Sequence, residues 1–75
     1  RTRLVIVNKD VPNMIAVITG VLGGMGINIQ SLTNESNGKI GYNLVDVEVD
    51  IDDEVVEQIR RIPDILKVRV LRFVK

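Results

Sequence analysis

Asn8, Lys9, Asp10, Val11, Pro12 and Asn13 stand between the apolar run Leu4–Val7 and a second apolar stretch, Met14–Met25. A polar loop that runs into a helix leaves unpaired backbone N–H groups at the helix start, and these favour a carboxylate or another anion. Asp10 stands beside them and can hold a cation. A loop that offers both suits a zwitterion, and a free amino acid is the commonest small zwitterion in a cell. This is equipment for binding rather than for catalysis.

Other chemistries find little support. The chain has neither histidine nor cysteine, which removes Ser-His-Asp and Cys-His arrangements, thiolate chemistry and the usual zinc sites. The acidic run Asp50, Asp52, Asp53, Glu54 resembles a calcium loop, but it lacks the glycine and closing glutamate such a loop needs and sits where a helix start favours acids. Gly20, Gly23, Gly24 and Gly26 imitate a phosphate-binding loop. They fall at the end of a helix, whose partial charge is negative, whereas phosphate cradles open helices. Tyr42 and Phe73 are the only aromatic residues, too few for a base-stacking sheet.

Composition narrows the class further. Seventy-five residues make one small domain, read as spanning 1–75, whose limited core gains from association. Ten basic residues balance ten acidic ones, so neither nucleic acid nor an anionic membrane is an expected partner. Met14–Met25 is interrupted by Thr19 and glycines and is shorter than the roughly 20 residues that cross a bilayer. The absence of cysteine suits a cytoplasmic location. A start at Arg1 rather than methionine leads us to expect a piece of a longer protein.

The loop needs elements to hold it, and six are legible. Leu4–Val7 reads as a central strand covered on both faces. A helix is expected from Pro12 to about Met25, with Met14, Ile15, Val17, Ile18, Val21, Leu22 and Met25 on one broad apolar arc. Gly20 and Gly23 lie on the other arc, where either close packing or a sparse solvent face explains them. Gly24 and Gly26 stop the helix, one of them in the left-handed conformation. A second strand runs from Ile27 to about Glu35 with a bend or bulge near Ser31, and Asn37-Gly38 predicts a type I′ hairpin. The third strand, Ile40–Asp50, turns Val45, Val47 and Val49 inward. Asp52 caps a second helix with Val55, Val56, Ile59 and Ile62 inward and Arg60 and Arg61 in its last turn; Pro63 ends it, and Leu66–Phe73 forms the fourth strand. This is an α+β chain, a ferredoxin-like βαββαβ sandwich: a four-stranded antiparallel sheet with two helices on one face, strands one and three central. The exposed second-strand edge, with Asn28 and Gln30 outward, is expected to pair with a second copy.

The run from Leu4 to Met14, then Gly26-Ile27-Asn28-Ile29, then Leu44-Val45-Asp46-Val47, resembles an ACT domain, the amino-acid-binding regulatory module. The whole chain is similar to the carboxy-terminal ACT domain of D-3-phosphoglycerate dehydrogenase, Ile62-Pro63-Asp64 and Val68-Arg69-Val70-Leu71 included. Asn28-Ile29-Gln30-Ser31-Leu32 also matches a run in acetolactate synthase small subunits, and serine dehydratase subunits are similar too. The resemblance implies a regulatory domain that senses a small amino acid, serine first, between two copies. The ligand contacts it implies are Asn8, Asp10, the amides around Val11 and Asn13, and Asn28 of a neighbouring copy. Serine-inhibited members carry histidine in place of Asn8, asparagine in place of Asp10 and glycine in place of Asn13. No cofactor is implied for this chain, while NAD and a linked catalytic domain are implied for a dehydrogenase parent. Two alternatives stay open: a dimerisation module that binds no effector, and turn capping as the whole role of Asn8, Asp10 and Asn28.

Overall fold

In the computed structural model, which describes residues 2–72, the elements are β1 (Thr2–Lys9), α1 (Met14–Gly24), β2 (Ile29–Ser36), β3 (Ile40–Val47), α2 (Asp53–Arg60) and β4 (Ile65–Arg72). The sheet has the order β2-β3-β1-β4 and every pairing in it is antiparallel. Strands one and three are central, as expected of right-handed crossovers. Alternation directs Leu4 and Ile6 of β1, Val45 and Val47 of β3 and Val68 of β4 to one face of the sheet. Both helices cover that face, α1 through Met14, Ile18 and Leu22, α2 through Val55 and Ile59, and Ile27, Ile51 and Ile62 from the connections close the core. Full burial of each such side chain stabilises the fold by about 1.5–3 kcal/mol. α1 packs against β2 and α2, while α2 packs against β4. No helix of the described residues is long and apolar enough to cross a membrane.

Several local expectations hold. The Asp52 side chain accepts from the Val55 amide at 3.1 Å, with Asp53 and Glu54 in the first turn and Arg60 in the last. Gly26 takes the left-handed conformation after α1, at φ 76°. β2 slips register against β3 between Ile29 and Ser31, which places the bulge at Gln30.

Others need correction. α1 begins at Met14 rather than Pro12, because Asn13 sits at φ 73° and a left-handed residue cannot lie within a right-handed helix. That φ suits glycine without strain and asparagine next best, so Asn13 keeps the backbone that a glycine would have there. Ile15 and Val17 are 42% and 41% exposed, and Met25 is also exposed. Only the Met14–Ile18–Leu22 stripe, with Val21 at its margin, reaches the core. Gly20 and Gly23 have open space beside them within the chain. β2 starts at Ile29, since Ile27 turns into the core before the strand is paired. The Asn37-Gly38 turn is not type I′: Gly38 alone of the two has positive φ, and the Asn37 side chain accepts from the amides of Lys39 and Ile40. β3 ends at Val47, which leaves Val49 exposed and puts Ile51 in the core instead. Val5 and Val7 are half-buried rather than covered, because no helix lies on their face of the sheet. β4 starts one residue early, at Ile65; Phe73 lies outside the described residues.

Candidate functional site

At the end of β1 the register against β4 slips between Val7 and Asn8, where β4 carries the extra residue Leu66. Three backbone bonds then tie the loop down: Lys9 N–H to Asp64 O at 2.9 Å, Asp10 N–H to Lys39 O at 3.0 Å and Val11 N–H to Lys9 O at 2.9 Å. The Ser36 hydroxyl donates to Asp10 Oδ2 at 2.5 Å and accepts from the Gly38 amide, so the β2–β3 hairpin fixes the carboxylate.

Next to this loop lies a cleft of about 420 Å³ lined by Asn8, Asp10, Val11, Asn13, the first turn of α1 from Met14 to Ala16, Asn34 and Gly41. The first intrahelical bond of α1 runs from Val17 N–H to Asn13 O, so the amides of Met14, Ile15 and Ala16 have no acceptor among the described residues. The cleft therefore combines one carboxylate, a helix start of partial positive charge and several amides, and no cationic side chain of the described residues lines it.

Beneath the cleft three asparagines form a chain of hydrogen bonds across three strands. Asn34 Nδ2 donates to Asn43 Oδ1 at 2.8 Å, Asn43 Nδ2 donates to Asn8 Oδ1 at 2.6 Å and to Ile6 O at 3.1 Å, and Asn8 Nδ2 donates to Lys9 O at 2.6 Å. Asn8 and Asn43 are only 3% and 1% exposed. Gly41, opposite Asn8 in the register, makes room for this amide: a Cβ there would stand 3.2 Å from Asn8 Nδ2 and 3.3 Å from Oδ1. A glycine inside a strand is explained here by the close approach of another group.

Of the residues expected to bind, Asn8, Asp10, Val11 and Asn13 come together at the cleft. Their parts differ from expectation. The Val11 amide is taken by Lys9 O, and the free amides lie further on, at Met14–Ala16. Asn13 makes no side-chain cap bond, and the amide of Asn8 is spent largely on its neighbours. Asn28 does not join them. It precedes β2 at the end where Ile29 faces Val47, whereas Ser36 at the other end faces Gly41 and, through it, Asn8. Seven residues of strand separate the two ends, roughly 24 Å.

Asn34, Asn43 and Gly41 are site residues that the reading of the sequence did not single out. For the last two a signal existed, since the alternation that turns Val45 and Val47 inward also turns Asn43 and Gly41 inward. The group with a shifted pKa lies elsewhere: on the opposite face Arg3 donates to both Asp46 oxygens, at 2.7 and 3.0 Å, and this bonding lowers the Asp46 pKa and raises that of Arg3. Among the described residues no cluster of three acidic side chains is placed to hold a metal ion.

No protein-family model and no curated protein sequence matches this chain. Solved structures do. The ACT domain from GTP pyrophosphokinase of Chlorobium tepidum matches with a TM-score of 0.79 and 22% identity, over 93% of this chain and 95% of that one. The ligand-free regulatory subunit of aspartate kinase from Thermus thermophilus matches at 0.74 and 14%, over 95% of this chain and 50% of that one. The acetolactate synthase small subunit from Thermotoga maritima matches at 0.63 and 24%, over 93% and 47%. The chain thus spans about half of each of those two subunits. What these proteins share with it is the four-stranded antiparallel sheet under two helices: the chain has the fold of an ACT domain.

Proposed function

We propose that this chain is a regulatory ACT domain that binds a small amino acid, serine first, in the cleft after β1, at an interface between two copies. The observation that carries this reading is the meeting of the Asp10 carboxylate with the free amides of Met14, Ile15 and Ala16 in one cleft. The amides suit the ligand's carboxylate and Asp10 its ammonium group, each as a charge-assisted hydrogen bond. No reaction is assigned to the chain itself. Its parent is proposed as an enzyme of amino-acid metabolism, a D-3-phosphoglycerate dehydrogenase before an acetolactate synthase or a serine dehydratase.

The second copy is supported by one continuous surface. β2 is an edge strand, and α1 beside it exposes Ile15, Val17 and Met25 on a helix that carries no charge from Met14 to Gly24. The cleft opens onto this surface, because Ile15 and Ala16 of α1 and Asn34 of β2 line it. Antiparallel pairing of two β2 strands about a two-fold axis sets the start of one against the end of the other. Asn28 of a partner would thereby approach the Ser36 and Asp10 end of this chain.

Calorimetric titration of L-serine, then of the other amino acids, tests the site. Asp10→Ala is expected to weaken binding tenfold or more, as a charge-assisted bond contributes about 1.5–3 kcal/mol and 1.4 kcal/mol is a factor of ten. Asn28→Ala is expected to weaken binding and also the ligand's effect on dimerisation. Equal affinity in all three proteins would remove the site, and no binding to the unaltered chain would leave a dimerisation module without effector. The module reading has support of its own in the uncharged, partly apolar outer face of α1.

A further inference from the structure

The three-asparagine chain has a direction, and its anchors set it. A backbone carbonyl can only accept, so Lys9 O requires the nitrogen of Asn8, and Ile6 O requires that of Asn43. Asn8 then offers its oxygen to Asn43, which spends its two N–H groups on Asn8 Oδ1 and Ile6 O. Asn43 is left with only its oxygen to offer, and Asn34 must donate to it. No amide in the chain can flip alone without setting two donors or two acceptors against each other. The last member, Asn34, therefore turns its own oxygen outward, and no donor among the described residues meets Asn34 Oδ1. Asn34 is exposed and lines the cleft. Each bond in such a chain polarises the next, which strengthens the terminal acceptor.

We infer that Asn34 Oδ1 reads a hydrogen-bond donor on the ligand's side chain, so that the cleft selects small amino acids bearing O–H or N–H over apolar ones of the same size. This rests on the reading of the cleft as an amino-acid site. Asp10 and Ser36 lie toward one end of β2, and Asn34 lies two residues back along that strand on the same face. A ligand held by its ammonium group at Asp10 directs its side chain along the sheet toward Asn34, over the row formed by Asn34, Asn43 and Ile6. The carbonyl anchors fix Asn34 Oδ1 as the acceptor turned to the cleft, with one of the two Asn34 N–H groups committed to Asn43.

The test compares ligands that differ by one hydroxyl: L-serine with L-alanine, and L-threonine with L-2-aminobutyrate, each titrated by calorimetry into the unaltered chain and into Asn34→Leu. In the unaltered chain the hydroxylated member is expected to bind about tenfold more tightly, the worth of one net hydrogen bond. In Asn34→Leu the ratio falls to near one. Asn43→Leu supplies a second readout without touching the cleft wall: with its anchor gone Asn34 can rotate, and the ratio falls partway. A urea midpoint on each variant confirms folding. If alanine binds as tightly as serine to the unaltered chain, or if Asn34→Leu keeps the full ratio, the role of Asn34 is wrong while the cleft stands. If none of the twenty amino acids binds the unaltered chain, the cleft reading falls and this assignment with it.

Discussion

Replacing Asn43 by leucine tests how the buried amide chain is held. The leucine has the same number of side-chain heavy atoms and the same branching as asparagine, so no cavity opens, and the loss tested is one of hydrogen bonds. Asn8 Oδ1, on a residue 3% exposed, loses the one donor it has among the described residues, while Asn34 turns to water at little cost because it is exposed. A buried acceptor left unsatisfied costs about 1–3 kcal/mol. Asn8→Leu alone has a similar cost, since it strands one N–H of the buried Asn43. The double variant removes both partners, and replacing a buried polar pair by apolar groups of like shape is close to neutral. Two single losses of about 1–3 kcal/mol and a double variant within about 1 kcal/mol of the unaltered chain give a coupling of the same order as one single loss or more. Urea unfolding at constant slope measures all four proteins, and thermal midpoints offer a second scale, because 1 kcal/mol moves a domain of this size by about 4–8 °C. Losses that add within about 0.5 kcal/mol in the double variant would refute the reasoning, since independent sites behave that way. If the double variant is as stable as expected, the amides add nothing to the fold that leucines would not, and their place beneath the cleft is left as their purpose.

Other expectations follow from single contacts. Asp52→Ala removes the acceptor of the Val55 amide and is expected to lower the unfolding free energy by about 1 kcal/mol in urea titrations. Ile18→Ala empties a fully buried site and is expected to cost about 2–5 kcal/mol, whereas Val17→Ala on the exposed flank of α1 costs about 0.5 kcal/mol or less by the same measurement. Asp46 has its folded-state pKa lowered by Arg3, so the stability it contributes is present above the ordinary carboxylate pKa and is lost as pH falls through the folded value. Carbon-detected NMR titration of Asp46 is expected to show a midpoint below that of an unpaired aspartate, and Arg3→Gln to return it upward. Gly41→Ala crowds the Asn8 amide from 3.2 Å and is expected to lower the urea midpoint, unlike Gly20→Ala, which meets open space and gains about 0.5–1 kcal/mol from helix propensity.

The order of elements, the Asp52 cap and the inward valines of β3 were readable because each rests on a local rule: period-two alternation, a cap side chain, a helix-breaking proline. The bulge near Ser31 was readable for the same reason, since Leu32 breaks the alternation set by Ile27 and Ile29. What failed depends on contacts between elements. Ile15 and Val17 fit the apolar arc of α1, yet only one stripe of that helix meets the sheet, and its flank stays exposed. Asn13 gives no sign of its left-handed φ in a window that otherwise favours helix, and Asn37 replaces the backbone geometry of a tight turn with bonds from its own side chain. Asp10 was legible as a candidate residue of the cleft because its charge stands out beside a helix start. Asn34 was not singled out, because its part in the site comes from its pairing with Asn43 across two strands, which no local pattern shows.

Sedimentation of the chain with and without L-serine, at a protein concentration near the dimer's own dissociation constant, tests the central claim most directly. If the cleft is complete only when two copies meet, ligand binds the dimer and not the monomer, and binding must tighten association by the same free energy. With two sites per dimer and serine at a hundred times its dissociation constant, the association constant rises about 10⁴-fold and the sedimenting boundary moves wholly to the dimer. Gln30→Pro, which breaks the β2 edge, is expected to hold the chain monomeric and to abolish that shift. A sedimentation profile that serine and every other amino acid leave unchanged, in a chain whose calorimetry shows binding, would contradict a site shared between two copies.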